Sequence, residues 1–377
     1  MICCNPRTVL VLTLILLVVV SGSLLVASSP AVQACNTCNF LLAWGSLGTG
    51  NGNFSSPRGV TVGSAGHVWV VDTNSDRVEK FTSTGGYLSQ LGCPTGACSS
   101  GSGPGQFNVP WAVAVDSAEN VYVTDYYNNR VEEFTTGGAY ITAWGCATAA
   151  TGCTSGFGPG EFNIPFGIAV DSSRNVYVTD LGNNRVEKFT SAGTYITAWG
   201  CTTATTGCSA GSGPGQFNVP RGIAVDASGN MYVADANNNR IEKFTSTGTF
   251  ITTWGSFGTG NGNFSSPRGV AVDSVGNVYV ADGSNNRVQK FNSTGAYISQ
   301  LGCGSNACSS GIGNGQFNSP YGVAVDSSGN VYVVDGGNNR VELFGDSTLP
   351  VPEFSGVAVV AFSALAASLC ILRRKRK

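Results

Sequence analysis

The chain has 377 residues, of which only 11% are charged, and its formal net charge is −2. A chain of this length can hold one large domain or two, so length alone does not decide the domain count. No basic patch rises above the surface mixture, and because neutralisation of phosphates needs clustered Lys and Arg, nucleic acid is not expected as a partner.

The N-terminus has the layout of a secretory signal peptide. A basic residue precedes the apolar run Val9–Val20, and small residues follow as far as Val32–Ala34. This pattern predicts a signal segment at residues 1–34, removed by cleavage after Ala34. The alternative is a membrane helix retained at the N-terminus, because the apolar run is long.

The segment between the two ends repeats one pattern six times, and its clearest copy, Phe317–Phe344, reads FNSPYGVAVDSSGNVYVVDGGNNRVELF. Two strands of alternating pattern flank an SSGN turn, a loop with Asn-Asn precedes a third strand, and a segment such as Thr194–Gly200 supplies a fourth. A period of about fifty residues with four short antiparallel strands is typical of a propeller. The sequence therefore predicts an all-β fold, a six-bladed β-propeller within residues 35–345.

The sixth copy stops at Phe344 and Gly345, before a fourth strand. A matching strand, FLLAWG at Phe40–Gly45, lies at the start of the mature chain. Pairing the two would build the last blade from both ends of the propeller and cover a sheet edge that is otherwise open. No residues between Phe40 and Phe344 are then left for a second domain.

Acidic and basic residues recur once per copy. A residue present in every blade usually satisfies backbone donors or pairs with another repeated residue, so we expect a structural role. We expect the same structural role for the inner Asp near each SSGN turn, which is replaced by Gly63 in the first copy. A calcium ion in the central channel remains an alternative, because calcium binds oxygen ligands such as Asp. The repeated Asp residues are Asp72, Asp125, Asp180, Asp235, Asp282 and Asp335, the repeated Arg residues are Arg77, Arg130, Arg185, Arg240, Arg287 and Arg340, and the inner Asp residues are Asp116, Asp171, Asp226, Asp273 and Asp326.

The pattern P-x-G-V/I-A-V-D…G-N-V-Y-V-x-D…N-N-R-V/I-x-x-F resembles the NHL repeat. The resemblance implies a propeller that binds a protein or RNA partner on one face, and some members of the family are enzymes. Its amidating-lyase members use several histidines at a metal site, whereas this chain has a single histidine, His67, at a turn position where other copies have Asn. The resemblance to those enzymes therefore does not extend to their metal site.

Four pairs of cysteines enclose short boxes of small residues. Successive copies are spaced by 53, 55, 55, 47 and 53 residues, and the 47-residue copy is the one without a box, so each box is a self-contained insertion. This predicts a local disulfide in each box; zinc is the alternative, but it needs four converging ligands and the boxes lie on different blades. Cys35 and Cys38 allow a tight disulfide, a reactive pair or a lipid-modified Cys35. The predicted pairs are Cys93 with Cys98, Cys146 with Cys153, Cys201 with Cys208, and Cys303 with Cys308.

The C-terminus predicts a membrane anchor. Residues 346–355 form a linker, the apolar segment Gly356–Leu372 is long enough for a short spanning helix, and the basic residues 373–377 place its end in the cytoplasm. The motif Pro352–Gly356 with this helix and basic tail is similar to PEF-CTERM sorting signals of archaeal surface proteins, which implies that a sorting enzyme removes the helix. The body is expected outside the cell, at the membrane surface.

One position, directly after the repeated Pro, differs between copies. The boxes and Asn-Asn loops share one face of a propeller, and this position at the start of a strand is expected near the channel mouth on that face. Its side chains could contact a ligand or pack between blades. We expect a cell-surface binding or adhesion module for a protein or glycan, without catalysis; the alternative is an extracytoplasmic lyase or lactonase with a channel metal. The variable residues are Arg58, Trp111, Phe166, Arg221, Arg268 and Tyr321, and the predicted glycosylation sites are Asn53, Asn263 and Asn292.

Overall fold

The computed structural model describes residues 38–93, 98–146, 154–200, 208–302 and 308–346, all within the unit Val32–Lys377. They form six four-stranded antiparallel sheets, each a blade of the predicted β-propeller. The first strand of each blade contacts the first strands of the two neighbouring blades, so these six strands close a ring around a central channel. The all-β, six-bladed fold predicted from the sequence is confirmed.

The strands of the six blades are as follows, from the channel outwards. The first strands are β2 (Pro57–Val62), β6 (Pro110–Val115), β10 (Pro165–Val170), β14 (Pro220–Val225), β18 (Pro267–Val272) and β22 (Pro320–Val325). The second strands are β3 (Val68–Asp72), β7 (Val121–Asp125), β11 (Val176–Asp180), β15 (Met231–Asp235), β19 (Val278–Asp282) and β23 (Val331–Asp335). The third strands are β4 (Arg77–Phe81), β8 (Arg130–Phe134), β12 (Arg185–Phe189), β16 (Arg240–Phe244), β20 (Arg287–Phe291) and β24 (Arg340–Gly345). The fourth strands are β5 (Tyr87–Leu91), β9 (Tyr140–Trp144), β13 (Tyr195–Trp199), β17 (Phe250–Trp254) and β21 (Tyr297–Leu301), and β1 (Asn39–Trp44) takes this place in the sixth blade.

The ring closes through β1, as the sequence predicted. β1 pairs with β24 in antiparallel register, from Asn39 opposite Gly345 to Trp44 opposite Val341. The sixth blade therefore contains strands from both ends of the described chain. β1 gives β24 an antiparallel partner, with a shift of register between Phe40 and Leu42, and completes a four-stranded blade like the other five.

The hydrophobic core consists of six clusters, each between two neighbouring blades. In the cluster between the sixth and first blades, Phe54 and Phe81 of the first blade pack with Tyr332 and Val341 of the sixth. The second strands are buried along their whole length, because both faces of each blade are covered by a neighbour. This explains why the second strands read as nearly continuous apolar segments, while the fourth strands, at the rim, consist mainly of half-buried and exposed residues.

The repeated Arg clamps the connection that enters its blade. Arg130 donates from Nε to Asp125 at 2.8 Å and from its two Nη atoms to the backbone oxygens of Ser102 and Gly103, at 2.8 and 3.0 Å. The other oxygen of Asp125 accepts from the backbone N–H of Asn108 at 2.7 Å. The same Arg–Asp pair is present in all six blades, at 2.8–3.0 Å. The pair thus satisfies backbone groups that a buried connection would leave unbonded.

A glutamate beside each clamp is buried in five blades. Arg130 contacts both Asp125 and Glu132, but one guanidinium can neutralise only one carboxylate. Burial raises the pKa of Glu132 and Glu187 to about 8 and that of Glu79, Glu242 and Glu342 to about 7. In the fifth blade the equivalent residue is Gln289, whose Nε2 donates to Asn263 at 2.7 Å and to Asp282 at 3.1 Å. A neutral side chain fits this position, which agrees with protonated glutamates in the other blades.

Several sequence predictions fall on residues that the structure does not describe. The predicted signal segment 1–34, most of the linker 346–355, the predicted helix Gly356–Leu372 and the basic tail 373–377 lie outside the described residues. Among the residues that are described, no helix is long and apolar enough to cross a membrane. The signal, anchor and sorting motif therefore stay predictions.

The ring closure gives a test by deletion. Removing Asn39–Trp44 leaves β24 with unpaired backbone groups along its outer edge, and an open edge promotes pairing with another chain. We expect the deleted chain to self-associate, which size-exclusion chromatography with light scattering measures. A stable, soluble monomer of the deleted chain would contradict the role assigned to β1.

The five glutamates predict a pH dependence of stability. Their pKa rises on folding from 4.5 to about 7 or 8, so the folded chain retains protons that the unfolded chain releases in this range. Their stabilising effect is complete below about pH 4.5 and is lost as the pH rises through 7 to 8. We expect the free energy of unfolding, measured by denaturant titration, to fall between pH 5 and pH 8.5.

The fifth blade supplies the matched control for this prediction. Glu132→Gln should flatten the pH dependence and raise stability at pH 8.5 by on the order of 1–2 kcal/mol, because one pKa unit is worth about 1.4 kcal/mol. Gln289→Glu should steepen the dependence by adding a sixth group of the same kind. Equal slopes in both variants and in the unmodified chain would show that these positions do not titrate between the folded and unfolded states.

Candidate functional site

The six variable residues meet at one end of the central channel. Each is the second residue of a first strand, and these strands begin at the end that receives the connections from the preceding blades. We call this group, together with Tyr126 from the second blade, the channel mouth. Five of the six line a cavity of about 70 Å³. They are Arg58, Trp111, Phe166, Arg268 and Tyr321.

The channel mouth is narrow because the first strands approach each other closely. A Cβ atom on Gly269 would lie 2.6 Å from the backbone oxygen of Tyr321, and one on Gly59 would lie 2.8 Å from that of Trp111. Glycine at these positions lets the backbones of adjacent blades touch. The side chains one residue earlier, from six different blades, are consequently crowded together at the mouth.

One side of the mouth is aromatic. The rings of Trp111 and Phe166 lie 4.5 Å apart, and Tyr126 stacks on Trp111 at 5.0 Å with an angle of 28° between the rings. Tyr126 occupies the loop position after the repeated Asp125, where the other blades have Thr, Leu, Ala or Gly. Tyr126 is not among the residues expected at the mouth from the sequence, although an aromatic residue at this loop position distinguishes the second copy from the others.

The other side of the mouth is cationic. The guanidinium carbon of Arg58 lies 4.0 Å from the ring centre of Trp111 and 4.3 Å from that of Tyr321, and Arg268 lies 3.7 Å from the same Tyr321 centre. The two guanidinium carbons are therefore at most 8.0 Å apart, the sum of the two distances to Tyr321. At an effective dielectric constant of 20, two unit charges at this distance repel by about 2 kcal/mol.

A third guanidinium stands beside these two. Arg221 donates from Nη1 to the hydroxyl of Ser266 at 2.8 Å, and Arg268 donates from Nη1 to the hydroxyl of Ser319 at 2.7 Å. The buried Nε atoms of Arg58, Arg221 and Arg268 have no hydrogen-bond partner among the described residues. Within the part of the chain that the structure describes, no carboxylate forms an ion pair with any of the three.

The electrostatics of the mouth follow from this arrangement. Burial, together with the charges of Arg221 and Arg58, lowers the pKa of Arg268 to about 10, against the raising effect of Tyr321. Burial also lowers the pKa of Arg221. The mouth thus concentrates positive charge in a protein whose net charge is −2. An anion placed there would gain attraction that no residue of the described chain supplies.

The repeated acidic residues do not reach the mouth as free ligands. The repeated Asp residues are engaged by the Arg clamps described above. Each inner Asp caps its own turn; Asp171, for example, accepts from the backbone N–H groups of Ser173 and Asn175 at 2.9 and 2.8 Å and from the hydroxyl of Tyr177 at 2.9 Å. Among the described residues, no group of three or more His, Cys, Asp or Glu side chains could hold a metal ion.

His67 lies far from the mouth in the chain topology. It follows the turn between the first two strands of the first blade, at the end of the blades opposite the channel mouth. Burial lowers its pKa, and the nearby charge of Lys80 adds to this. The same turn has Gly63 in place of the inner Asp. Glu119 of the second blade supplies a carboxylate there instead, and accepts from the backbone N–H of Ala65 at 3.1 Å.

The box cysteines that the structure describes lie on the connections that lead into the first strands, on the same face as the mouth. Cys93 and Cys98 form a disulfide with their Cα atoms 4.5 Å apart. Cys38, Cys146, Cys208 and Cys308 are also disulfide-bonded. Cys35, Cys153, Cys201 and Cys303 lie outside the described residues, so the other three pairings stay predictions.

Exposed apolar side chains surround the mouth on this face. They stand on the connections that lead from the fourth strand of one blade to the first strand of the next, and they are Leu47, Phe157, Phe257 and Ile312, with 54–82% of each side chain exposed. They stand on connections to four different blades, and single exposed apolar residues are common on protein surfaces.

The predicted glycosylation sites are asparagines with bonded side chains. The Oδ1 atoms of Asn53 and Asn263 accept from the hydroxyls of Ser46 and Ser256 at 2.9 and 3.1 Å. Asn292 caps its own turn by accepting from the backbone N–H of Thr294 at 3.0 Å. Glycosylation at these positions stays a prediction.

Comparisons with known proteins agree with the fold. The NHL repeat family matches the chain at residues 54–81, 107–134, 162–189, 217–244, 264–291 and 317–344, so the chain contains six NHL repeats. It is 30% identical to the human (Homo sapiens) NHL repeat-containing protein 3 over 171 residues, which are 42% of this chain and 45% of that protein. It is 32% identical to the mouse (Mus musculus) peptidyl-glycine alpha-amidating monooxygenase over 146 residues, 37% of this chain and 14% of the relative.

The chain thus spans less than half the length of either relative. A solved structure of a streptogramin B lyase is similar in fold, with a TM-score of 0.53 and 16% identity, covering 81% of this chain and 97% of the lyase. At that identity the likeness concerns the fold alone.

A pair of substitutions in the fifth blade tests whether the mouth is structural. Arg287→Met removes the partner of buried Asp282 and should cost about 3–5 kcal/mol in the free energy of unfolding. Arg268→Met removes a desolvated charge that repels its neighbours, and the loss of its stacking on Tyr321 is worth only about 1–2 kcal/mol. We expect Arg268→Met to unfold within about 1 kcal/mol of the unmodified chain in denaturant titrations. A cost equal to that of Arg287→Met would assign Arg268 a structural role.

Proposed function

We propose that this chain of six NHL repeats is an extracytoplasmic binding module without catalytic activity, and that the channel mouth holds its ligand. The observation that carries the proposal is the collection of three arginines without a carboxylate partner among aromatic rings at the mouth. The positive charges in this arrangement repel each other and have no ion-pair partner among the described residues, which offsets what their stacking contributes to the fold. Stacked guanidinium and aromatic groups are typical of residues that dominate binding energy.

The distribution of chemistry along the repeats supports a binding role. The side chains that recur in every blade, such as Asp125 and Arg130, form hydrogen bonds with backbone groups and with each other. Positions that differ between blades converge at the mouth and carry no acid and no histidine. Acidic and imidazole side chains are the commonest general bases and are frequent metal ligands.

The surroundings of the mouth favour a protein or glycan ligand. The exposed side chains of Leu47, Phe257 and Ile312 offer apolar contacts on the same face, and the disulfide Cys93–Cys98 closes one of the loops there. Loops on a rigid scaffold commonly carry binding contacts. With the predicted signal segment and C-terminal anchor, the module would present this face outside the cell, at the membrane surface.

The alternative function is a propeller-type lyase or lactonase. It is favoured by the likeness of one stretch of the chain to a peptidyl-glycine alpha-amidating monooxygenase. That activity would need a metal ion in the channel, held by oxygen or nitrogen ligands. The mouth instead presents guanidinium groups, which do not bind metal ions.

The two functions are separated by ligand binding with and without a chelator. The purified full-length chain would be screened by thermal unfolding against a panel of glycans and surface proteins, with and without EDTA. We expect at least one ligand to raise the melting temperature, equally in EDTA, and the shift to vanish in the triple variant Arg58→Ala, Trp111→Ala, Tyr321→Ala.

The matched control is Val275→Ser, which changes an exposed apolar residue on the opposite end of the fifth blade. It should keep the full shift. A ligand that still shifts the triple variant would place binding elsewhere. Turnover of a lactone or an α-hydroxyglycine peptide that EDTA abolishes would contradict the non-catalytic function.

A further inference from the structure

The arrangement of positive charge at the channel mouth specifies a ligand chemistry, given the proposed function of the mouth as a binding site. Arg58 and Arg268 both lie over the ring of Tyr321, with their guanidinium carbons at most 8.0 Å apart, the sum of the distances 4.3 and 3.7 Å. Arg221 stands close enough for its charge to affect both of them. Two positive charges, those of Arg58 and Arg268, thus line one small cavity, and Arg221 adds a third at the equivalent position of the fourth blade. No described carboxylate pairs with any of the three.

The guanidinium groups are held in place before a ligand arrives. Arg58 is packed on Trp111 at 4.0 Å, while Arg221 and Arg268 are each tied by one Nη atom to a serine hydroxyl, at 2.8 and 2.7 Å. Their remaining N–H groups are donors in a partly buried site, where hydrogen bonds to an anion are stronger than in water. Fixed donors also lose little conformational entropy on binding.

The size of the cavity limits what can enter. Its volume of about 70 Å³ is well below the roughly 300–1,000 Å³ of sites that enclose a whole drug-sized ligand. It has room for a group of a few heavy atoms. The rest of a larger ligand would lie outside, over the aromatic side of the mouth formed by Trp111 and Tyr126.

We infer that the channel mouth binds a dianionic tetrahedral oxyanion, in the form of a phosphate group, as the head group of its ligand. A phosphate carries three outward oxygens and a charge of about −1.5 to −2 near neutral pH, which matches the two guanidinium groups that line the cavity, with the third positive charge of Arg221 beside them. A carboxylate carries a single negative charge, so it would leave two of these three positive charges uncompensated. The match is to one head group, because a nucleic acid backbone requires many clustered cations and the chain has a formal net charge of −2.

The test is an isothermal titration calorimetry experiment in which inorganic phosphate is added to the full-length chain at pH 7.5 and constant ionic strength. We expect saturable binding of one phosphate per chain, at least tenfold tighter than acetate. Arg58→Met and Arg268→Met should each weaken phosphate binding about tenfold or more, as the loss of a charge-assisted hydrogen bond predicts. Thermal unfolding of each variant verifies that it is folded.

The matched control is Arg174→Met, which removes one positive charge from the opposite end of the blades, where Arg174 pairs with Asp116 at 2.7 Å. It should bind phosphate as the unmodified chain does. Three results would overturn the inference: no saturable heat with phosphate, acetate binding as tightly as phosphate, or folded Arg268→Met with unchanged affinity.

Further arms of the titration identify the source of the head group. A sugar phosphate that binds more tightly than inorganic phosphate indicates a phosphorylated ligand whose remaining part contacts the aromatic side, whereas equal affinities indicate free phosphate; both outcomes support the site. Preference for a single-stranded oligonucleotide over both would contradict the inference of one head group. If a ligand found by the thermal screen depends on the mouth residues but phosphate does not compete with it, the inference fails while the proposed binding function stands.

Discussion

The buried Arg–Asp clamp is the interaction on which the rest of the structure depends. In each blade the guanidinium bonds an Asp of the second strand and, at the same time, backbone oxygens of the connection arriving from the preceding blade, as Arg77 does with Asp72, Thr49 and Gly50 at 2.9 Å. Buried connections need such partners, since unbonded backbone groups are costly. Six copies of one clamp therefore fix the six connections on one face of the ring, and that face becomes a rigid platform for the loops and side chains it carries.

Repeated residues build the frame and variable residues form the mouth, which explains how a chain of six similar repeats has a single site. Repeated polar residues are used for the frame, where each repeated Arg has a buried Asp as its ion-pair partner. Burial raises the pKa of the glutamates beside the clamps to about 7 or 8, at a position where the fifth blade has the neutral Gln289. The channel mouth does not balance its charges. Arg58, Arg221 and Arg268 keep their positive charge in a partly buried place, which costs stability and gains attraction for an anion. A stability cost with no structural return is typical of a binding site.

The sequence predicted the strands, the six blades and the closing strand, because alternating apolar residues and a strict repeat are local signals. It also predicted which position varies at the mouth. It did not predict the cluster of charge, since residues 58, 221 and 268 are far apart in the chain and only the closure of the ring brings them together. Nor did it predict that Glu119 of the second blade replaces the carboxylate missing at Gly63 of the first, because that compensation depends on contacts between blades.

The central claim is that the mouth is a preformed anion site on a frame that does not move. It is tested most directly by two crystal structures of the full-length chain, grown from the same phosphate-free solution with and without a soak in dilute sodium phosphate. We expect difference density for one tetrahedral anion in the cavity at the mouth, within hydrogen-bonding distance of the guanidinium groups of Arg58 and Arg268, with the blades and the six clamps in the same positions. Density for the anion at other surface arginines with the mouth unchanged, or a rearrangement of the blades on binding, would contradict it.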